Sequence, residues 1–320
     1  MKSEMRHIEP KNVPVLEVFS YLLGGVVPRP IALVSTLSSE GIPNLSPFSF
    51  FNAFGANPPV IAFAPSRRGR DASMKDTYHN LMATRECVIQ AVTHAMVQQV
   101  NLASTEYPPN VDEFIKSGLT PVPSDIVKPF RVSESPFQME CKMLQMIHTG
   151  SGPSSGNLAV CEVLKFHIAE FIFENGIIQP NKIDLVARMG ADFYCRASGE
   201  AVFVVQKPGD KIGIGYDQLP SYIKESTILS ANNLGQLGNI ESIPSDDEVD
   251  KLVTDLERNN LNSLKDYEKM LVAALSSHDK NNKIEQAIKL ALEQDDLEFA
   301  SKAVVLRGRA ELKLQKAARK

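Results

Sequence analysis

Apolar and polar positions change their period several times along this 320-residue chain, and the changes mark out its elements. Residues 31–37, IALVSTL, are an apolar, β-branched run of strand length, entered through Arg29 between Pro28 and Pro30. Gly41 turns the chain. Residues 42–51 then read as a second strand, with Asn44, Ser46 and Ser49 interrupting its apolar positions. Pro47 within that run lacks a backbone donor and is expected to disturb regular pairing. Asn57, Pro58 and Pro59 form a further turn, and residues 60–64 are a third short strand. Three neighbouring strands with tight turns predict an antiparallel barrel or sandwich.

The period then lengthens. A polar loop, PSRRGRDASMKDT, leads into a helix expected over residues 77–85, with Ser73 and Asp76 spaced as a capping box. A helix N-terminus presents free N–H groups and a positive dipole end, to which Lys75, Thr77 and the nearby arginines add charge and a hydroxyl. A phosphate monoester suits such a place, and so does plain solvent around a capped surface helix. Further on, alternation in CEVLKFHIAEFIF places His167 with Val163 and Lys165 on one strand face. Two readings of His167 stay open: a solvent-facing strand histidine, or a proton relay, for which an unperturbed pKa of about 6.5 is suitable. The stretch TGSGPSSGN, residues 149–157, lacks the GK[ST] of a phosphate-binding loop and reads as a hairpin connection.

Beyond residue 245 the pattern becomes helical. SDDEVDKLVTDLERN opens with acidic residues and spaces Val249, Leu252, Val253 and Leu256 on one stripe. Helical stretches follow at 264–276, 283–292 and 297–319, and the basic end KLQKAARK complements a helix C-terminal dipole. The expected organisation is therefore a β-rich domain over 1–245 and a helical extension over 246–320.

Composition narrows the partners. A hydrophobic content of 43% is ordinary for a globular protein, and no apolar run reaches the ~18 to 20 residues of a spanning helix, so no membrane role is expected. MKSEMRHIEPKN lacks an apolar signal region, which points to the cytoplasm. A net charge of -4 argues against general nucleic-acid affinity. Cys87, Cys141, Cys161 and Cys195 are far apart without CxxC, and the six histidines show no HExxH, so neither a disulfide framework nor a metal site is expected.

Taken in order, VVPRPIALVST, PNLSPFSFFNA, KDTYHN, CEVLKFHIAE and KIDLVARMGADFYCR resemble the flavin reductase-like family of FMN-binding split β-barrel proteins, from about residue 17 to about residue 245. The resemblance implies a mainly β split barrel with flanking helices and the C-terminal helical appendage, acting as an FMN-dependent oxidoreductase. NADH or NADPH is the implied donor, and a homodimer the implied assembly. Free flavin, a monooxygenase partner, a ferric chelate or another species is the implied acceptor. An FMN-binding electron-transfer protein or a non-enzymatic flavin-binding scaffold is the alternative. Carried over, Ser35 and Thr36 contact the ribityl chain or ring edge. Ser46, Pro47, Ser49, Phe50 and Phe51 run beside the ring. Lys75 and Thr77 hold the phosphate, with Asn80 in support and Arg70 as a further candidate. Arg188 and Gly190 lie close to the flavin or the dimer seam. Ala191 replaces a second glycine there, which puts a very close backbone approach at that point in question. Where its strand face borders the flavin, His167 would contact the nicotinamide or relay a proton.

Overall fold

The apolar run after Arg29 forms the strand from which the main sheet grows. The computed structural model describes residues 4–205, 209–277 and 279–318, and for 311–318 the backbone alone. The chain divides into two compact units, Met1–Val204 and Val205–Lys320.

In the first unit, α1 (Val15–Gly25) leads to β1 (Arg29–Pro30), β2 (Ala32–Leu37), β3 (Pro43–Phe48), β4 (Phe51–Ala56) and β5 (Pro59–Phe63). Next come α2 (Asp76–Thr84), β6 (Glu86–Ala91), α3 (Val97–Leu102), α4 (Glu113–Ser117), β7 (Pro121–Val122) and β8 (Arg131–Val132). The long hairpin β9 (Phe137–His148) and β10 (Asn157–Ile168) precedes β11 (Phe173–Glu174), β12 (Ile177–Ile178), α5 (Pro180–Ile183), β13 (Val186–Arg188) and β14 (Tyr194–Arg196).

Seven strands pair antiparallel in the order β3-β2-β6-β9-β10-β5-β4, and β1, β13 and β14 form a smaller sheet. β3 and β4 follow one another in sequence yet lie at opposite edges of the large sheet, joined only through Ser49 and Phe50. Phe48 of β3 and Phe63 of β5 nevertheless meet with ring centroids 5.3 Å apart. The sheet therefore rolls around one core, which holds Ala32, Val34, Phe48, Phe63, Leu81, Ile89, Met139, Cys141 and Cys161, without closing. Its other face packs Leu33 and Leu45 against Val100, Phe114, Leu119 and Val132. Burial on both faces explains why 32–37 is apolar almost throughout.

Three expectations change. The run 42–51 is two strands, because the chain breaks at Ser49–Phe50 to reach the opposite sheet edge. Pro47 pairs in register opposite Leu33, since β3 is an edge strand and its missing donor costs no ladder bond on the free side. A bulge then separates Val163 from Lys165: Val163 opposes Cys141 and faces the core, whereas Lys165 and His167 oppose Glu140 and Gln138 on the outer face. The extra residue, Leu164, resets the alternation that placed Val163 beside His167. Residues 149–157 do connect a hairpin, closed by the Thr149 amide donating to the Gly156 carbonyl at 2.9 Å.

The second unit contains α6 (Ser221–Lys224), α7 (Ala231–Leu237), α8 (Asp246–Arg258), α9 (Asp266–Leu275), α10 (Lys280–Glu293) and α11 (Leu297–Ala318). Val249 and Leu256 of the expected stripe are buried there with Tyr267, Leu271, Ile284, Ile288 and Phe299. Leu219, Ile223, Leu234 and Leu237 belong to the same core, so the stretch 219–237 packs with the helices. The compact units accordingly part at 204/205, ahead of the expected 245. α8 starts at a reciprocal cap between Ser245 and Glu248. The side chains of KLQKAARK lie outside the described residues. No helix among the described residues is long and apolar enough to cross a membrane.

Candidate functional site

α2 begins one residue earlier than the pattern suggests, at Asp76, with Lys75 as its cap residue and no side chain capping it. Ser73 does not complete a capping box, because its amide and hydroxyl are both turned onto Asp71, at 2.9 and 2.6 Å. The Asp76 and Thr77 amides consequently have no acceptor among the described residues. Beside them the Lys75 ammonium is half-buried, 5.8 Å from the Phe48 ring centroid, with no hydrogen bond or ion pair among the described residues. Burial, and then the neighbouring Arg68, push its pKa down. An uncapped helix end and an unpaired, partly desolvated ammonium together suit an anion with several acceptor oxygens.

Lys75, Thr77, Asn44, Ser46, Arg68 and Glu113 line a cavity of about 30 Å³ at this helix end. Arg68 is matched by Glu106 at 3.3 Å and Asp76 at 3.7 Å. Arg70 is largely exposed, pairs with Asp71 and Glu106, and does not line the cavity. Of the two, Arg68 is the arginine that lines the cavity.

Behind the cavity is a buried polar network centred on Asn44. Its Oδ1 accepts from the Thr77 hydroxyl at 2.8 Å and from Thr36 at 3.2 Å. Thr36 Oγ1 accepts from Asn80 Nδ2 at 3.0 Å, while Asn44 Nδ2 donates to Glu113 Oε1 at 3.2 Å. The second Glu113 oxygen accepts the Leu45 amide at 3.0 Å. Burial raises the Glu113 pKa, and the Leu45 and Asn44 donors counter part of that rise. Asn80 and the side-chain hydroxyls of Thr36 and Thr77 are therefore engaged in fixing α2 on β2 and β3, and the groups turned to the cavity are those of Lys75, Ser46 and the helix end.

A second cluster gathers at the β3–β4 bend. Arg29 is only 5% exposed. Its Nη1 donates to the carbonyls of Leu23 and Val26 at 2.7 and 2.8 Å, its Nη2 to Met189 at 3.1 Å, and its Nε to Ser49 Oγ at 3.4 Å. Its guanidinium carbon is 5.8 Å from the Phe50 ring centroid, and Phe50 in turn meets Phe19 edge-on at 6.2 Å. Phe51 packs against the main core. Arg188 stands opposite Arg29 in the β1–β13 pair, stacked 4.6 Å over Tyr194. Gly190 lies against the end of α1, where an added Cβ would be 3.1 Å from Gly24 Cα. Gly190 thus makes a close backbone approach to α1, while Ala191, at the position of the second glycine, takes a positive φ of 49°.

Three of the named residues, Pro47, Ser35 and His167, fall elsewhere. Pairing along Pro47, Leu33, Gln90, Gln138 and His167 puts all five on the outer face, opposite to Ser46 and Thr36. Ser35 shares that outer face and donates to the Phe130 carbonyl. His167 instead lines an open cavity of about 540 Å³ with Arg131, Gln138, Phe171 and Lys182. Its Nε2 is 2.6 Å from Glu140 Oε1. Fully buried Glu140 also accepts the amides of Asp125, Ile126 and Val127 at 2.8, 2.6 and 2.9 Å. Asp125, Glu140 and His167 hold possible ligand atoms within 4.8 Å of one another. Yet the Glu140 oxygens are taken up by these donors and Asp125 pairs with Lys165 at 2.5 Å, so the group acts as a staple for the 124–128 turn.

Three cysteines, Cys87, Cys141 and Cys161, are buried, whereas Cys195 is half-buried. Contact with Cys141 and burial push the Cys87 thiol well above its ordinary range, against a smaller opposing effect of Cys161, which is contrary to thiolate chemistry.

Comparison with known proteins matches this architecture. Residues 23–179 fit the flavin reductase like domain. A protein of Aquifex aeolicus is 35% identical over 184 residues, covering 57% of this chain and 91% of its own length. Nitrilotriacetate monooxygenase component B from Bacillus cereus superposes with a TM-score of 0.60 at 29% identity, over 64% of this chain and all of that one. The 2-nitrobenzoate 2-nitroreductase of Pseudomonas fluorescens shares the fold, with a TM-score of 0.55 at 24% identity over 63% of this chain and 96% of its own. A Shewanella frigidimarina protein with a split barrel domain also shares it, with a TM-score of 0.54 at 22% identity over 63% of this chain and all of its own. The chain belongs to the flavin reductase-like family.

The Glu140 staple gives the first unit a defined acid sensitivity. Burial alone would raise this carboxyl, but the Asp125 and Val127 amides, His167 and the Ile126 amide outweigh it and hold the pKa at about 2, below the usual 4.5. A depressed carboxylate stabilises the fold above its unfolded pKa, by about 3 kcal/mol for a shift of this size, and that contribution is lost as pH falls from ~5 towards ~2. Urea unfolding between pH ~7 and ~3 should show wild-type stability falling more steeply than that of Glu140→Gln. Parallel pH profiles would remove the staple from the stability of this unit.

Proposed function

We propose that the chain is a cytoplasmic, homodimeric FMN-dependent oxidoreductase that takes electrons from NADH or NADPH. It passes them to free flavin, a monooxygenase partner or another acceptor. The observation that carries this reading is Lys75: a half-buried ammonium that makes no hydrogen bond or close ion pair among the described residues, with only longer-range attraction from Glu106 and Asp76, beside two open helix N–H groups. Burial of an unpaired charge is costly unless a ligand completes it. A phosphate monoester supplies both the charge and the acceptors. Family membership and the name of the Bacillus cereus monooxygenase component support a redox role with an acceptor downstream.

Bound FMN supplies the ring that accepts hydride, so the chain needs no nucleophile of its own. Its residues hold and shield. Lys75, Ser46 and the α2 amides would take the phosphate, Thr36, Asn44, Thr77 and Asn80 keep that helix end in place, and Ser49 and Phe50 border the ring. α1 has no buried residue, and it exposes Leu16 and Leu22, while β4 exposes Phe54 at 67%. These uncovered apolar faces support a second copy as their cover.

Lys75→Ala should weaken FMN binding by about 1.5 to 3 kcal/mol and leave riboflavin binding nearly unchanged, as titrations quenching flavin fluorescence would show. An equal loss for both flavins would refute the phosphate assignment. Mixed anaerobically with NADH or NADPH in a stopped-flow instrument, the FMN-loaded protein should bleach with at least one of them. FMN that stays oxidised with both would leave an electron-transfer protein. Sedimentation equilibrium should report a dimer, and a stable monomer that binds FMN fully would contradict the proposed assembly.

A further inference from the structure

We propose that Arg29 is the positioning residue for the ring end of the flavin site, a role that rests on the flavin reading above. Arg29 ties together three segments that are distant in sequence: the C-terminus of α1 through Leu23 and Val26, the 189–190 turn through Met189, and the β3–β4 bend through Ser49. Of these segments, the family resemblance places Ser49–Phe50 beside the isoalloxazine and Arg188–Gly190 close to the flavin or the dimer seam.

The chemistry of this contact is unusual for a buried arginine. Its acceptors are three carbonyls and one hydroxyl, and no carboxylate pairs with it among the described residues. The nearest charged side chain across the strand pair is a second cation, Arg188. Burial and this neighbour both disfavour the charged form, and the direction of the Arg29 pKa is downward accordingly. A charge kept in so poor an electrostatic setting stays there because its planar fork fits several carbonyls at once. A lysine at the same place offers one point charge and no such geometry.

The backbone around it is shaped for the same purpose. β1, at two residues, is too short to fix the bend by its own ladder. The α1 end reaches the 189–190 turn closely enough that a Cβ on Gly190 would be 3.1 Å from Gly24 Cα and 3.5 Å from the Leu23 carbonyl oxygen. Leu23 is itself an Arg29 acceptor, so Gly190 and Arg29 hold one joint from two sides. Ser49 and Phe50 carry the chain from one edge of the large sheet to the other: the Phe50 carbonyl accepts the Ala64 amide at 2.9 Å, and Arg29 reaches the Ser49 hydroxyl at 3.4 Å.

The test separates the ring end from the phosphate end. FMN and riboflavin affinities are measured for wild type, Lys75→Ala, Arg29→Lys and Gly190→Ala, together with the visible spectrum of the bound flavin and the thermal unfolding of each full-length protein. Arg29→Lys and Gly190→Ala should each weaken both flavins by the same factor, roughly tenfold to a hundredfold, since a site misplaced by a fraction of an ångström loses affinity on that scale. The bound-flavin spectrum should shift in both variants, a change that a loss of global stability alone does not produce. Lys75→Ala should affect FMN alone. Folded Arg29→Lys and Gly190→Ala proteins with wild-type affinities and spectra, or with a loss confined to FMN, would overturn the assignment. If Arg29→Lys does not fold, Gly190→Ala decides by the same readouts. Should the wild-type chain bind neither flavin, the flavin reading itself fails and this role fails with it; wild-type binding with unaffected variants overturns Arg29 alone.

Discussion

Asn44 is the group on which the open end of α2 depends. Its carboxamide is almost fully buried, and a buried amide is tolerated only when its donors and acceptors are matched. Oδ1 meets two hydroxyls, from Thr36 and Thr77, and Nδ2 meets the Glu113 carboxylate. This single side chain therefore joins strand β3 to strand β2, to helix α2 and to helix α4. The arrangement spends the polar groups of three elements on holding one helix end still, so that the groups left over at that end, Lys75 and the first amides of α2, remain available to something outside the chain.

Much of this was legible in the sequence. The strand at 32–37, the hairpin around 149–157, the helix after Lys75 and the helical stripe from Val249 to Leu256 all followed from periodicity and turn residues, because each is a local property. The resemblance placed Ser46 beside the ring and Lys75 and Thr77 at the phosphate, whereas the structure puts all three on one cavity. What stayed hidden was non-local. Glu113 stands nearly seventy positions from Asn44 and carries no motif. Arg29 looked like a charge between two prolines, and nothing nearby in sequence announces that its acceptors include Met189. The choice between Arg68 and Arg70 turns on the Glu106 and Asp71 carboxylates, which periodicity does not place.

The remaining differences have small, identifiable causes. One extra residue at Leu164 reversed the strand face on which Val163 and His167 were grouped, and with it the surroundings of the histidine. Asp71 drew Ser73 away from the helix, so the helix end that looked capped is open. The apolar residues between 219 and 237 were read as a tail of the β-rich part, yet they complete the helical core. In each case a pattern of the right kind was present, and a competing local partner decided its outcome.

The edge strand β4 has a bearing on how the protein behaves in concentrated solution. Its sequence, FNAFGA, contains no charge and no proline, and five of its six residues are exposed. An outer strand with open backbone groups and apolar side chains is a template for unwanted sheet extension between molecules, which soluble proteins ordinarily blunt with charge, bulges or a cover. Here the irregularity between Ala53 and Gly55 is the one device built into the strand itself. Colloidal stability of this chain therefore depends on whatever seals that border, and a change that uncovers β4 would favour aggregation even where every buried contact of the fold is intact.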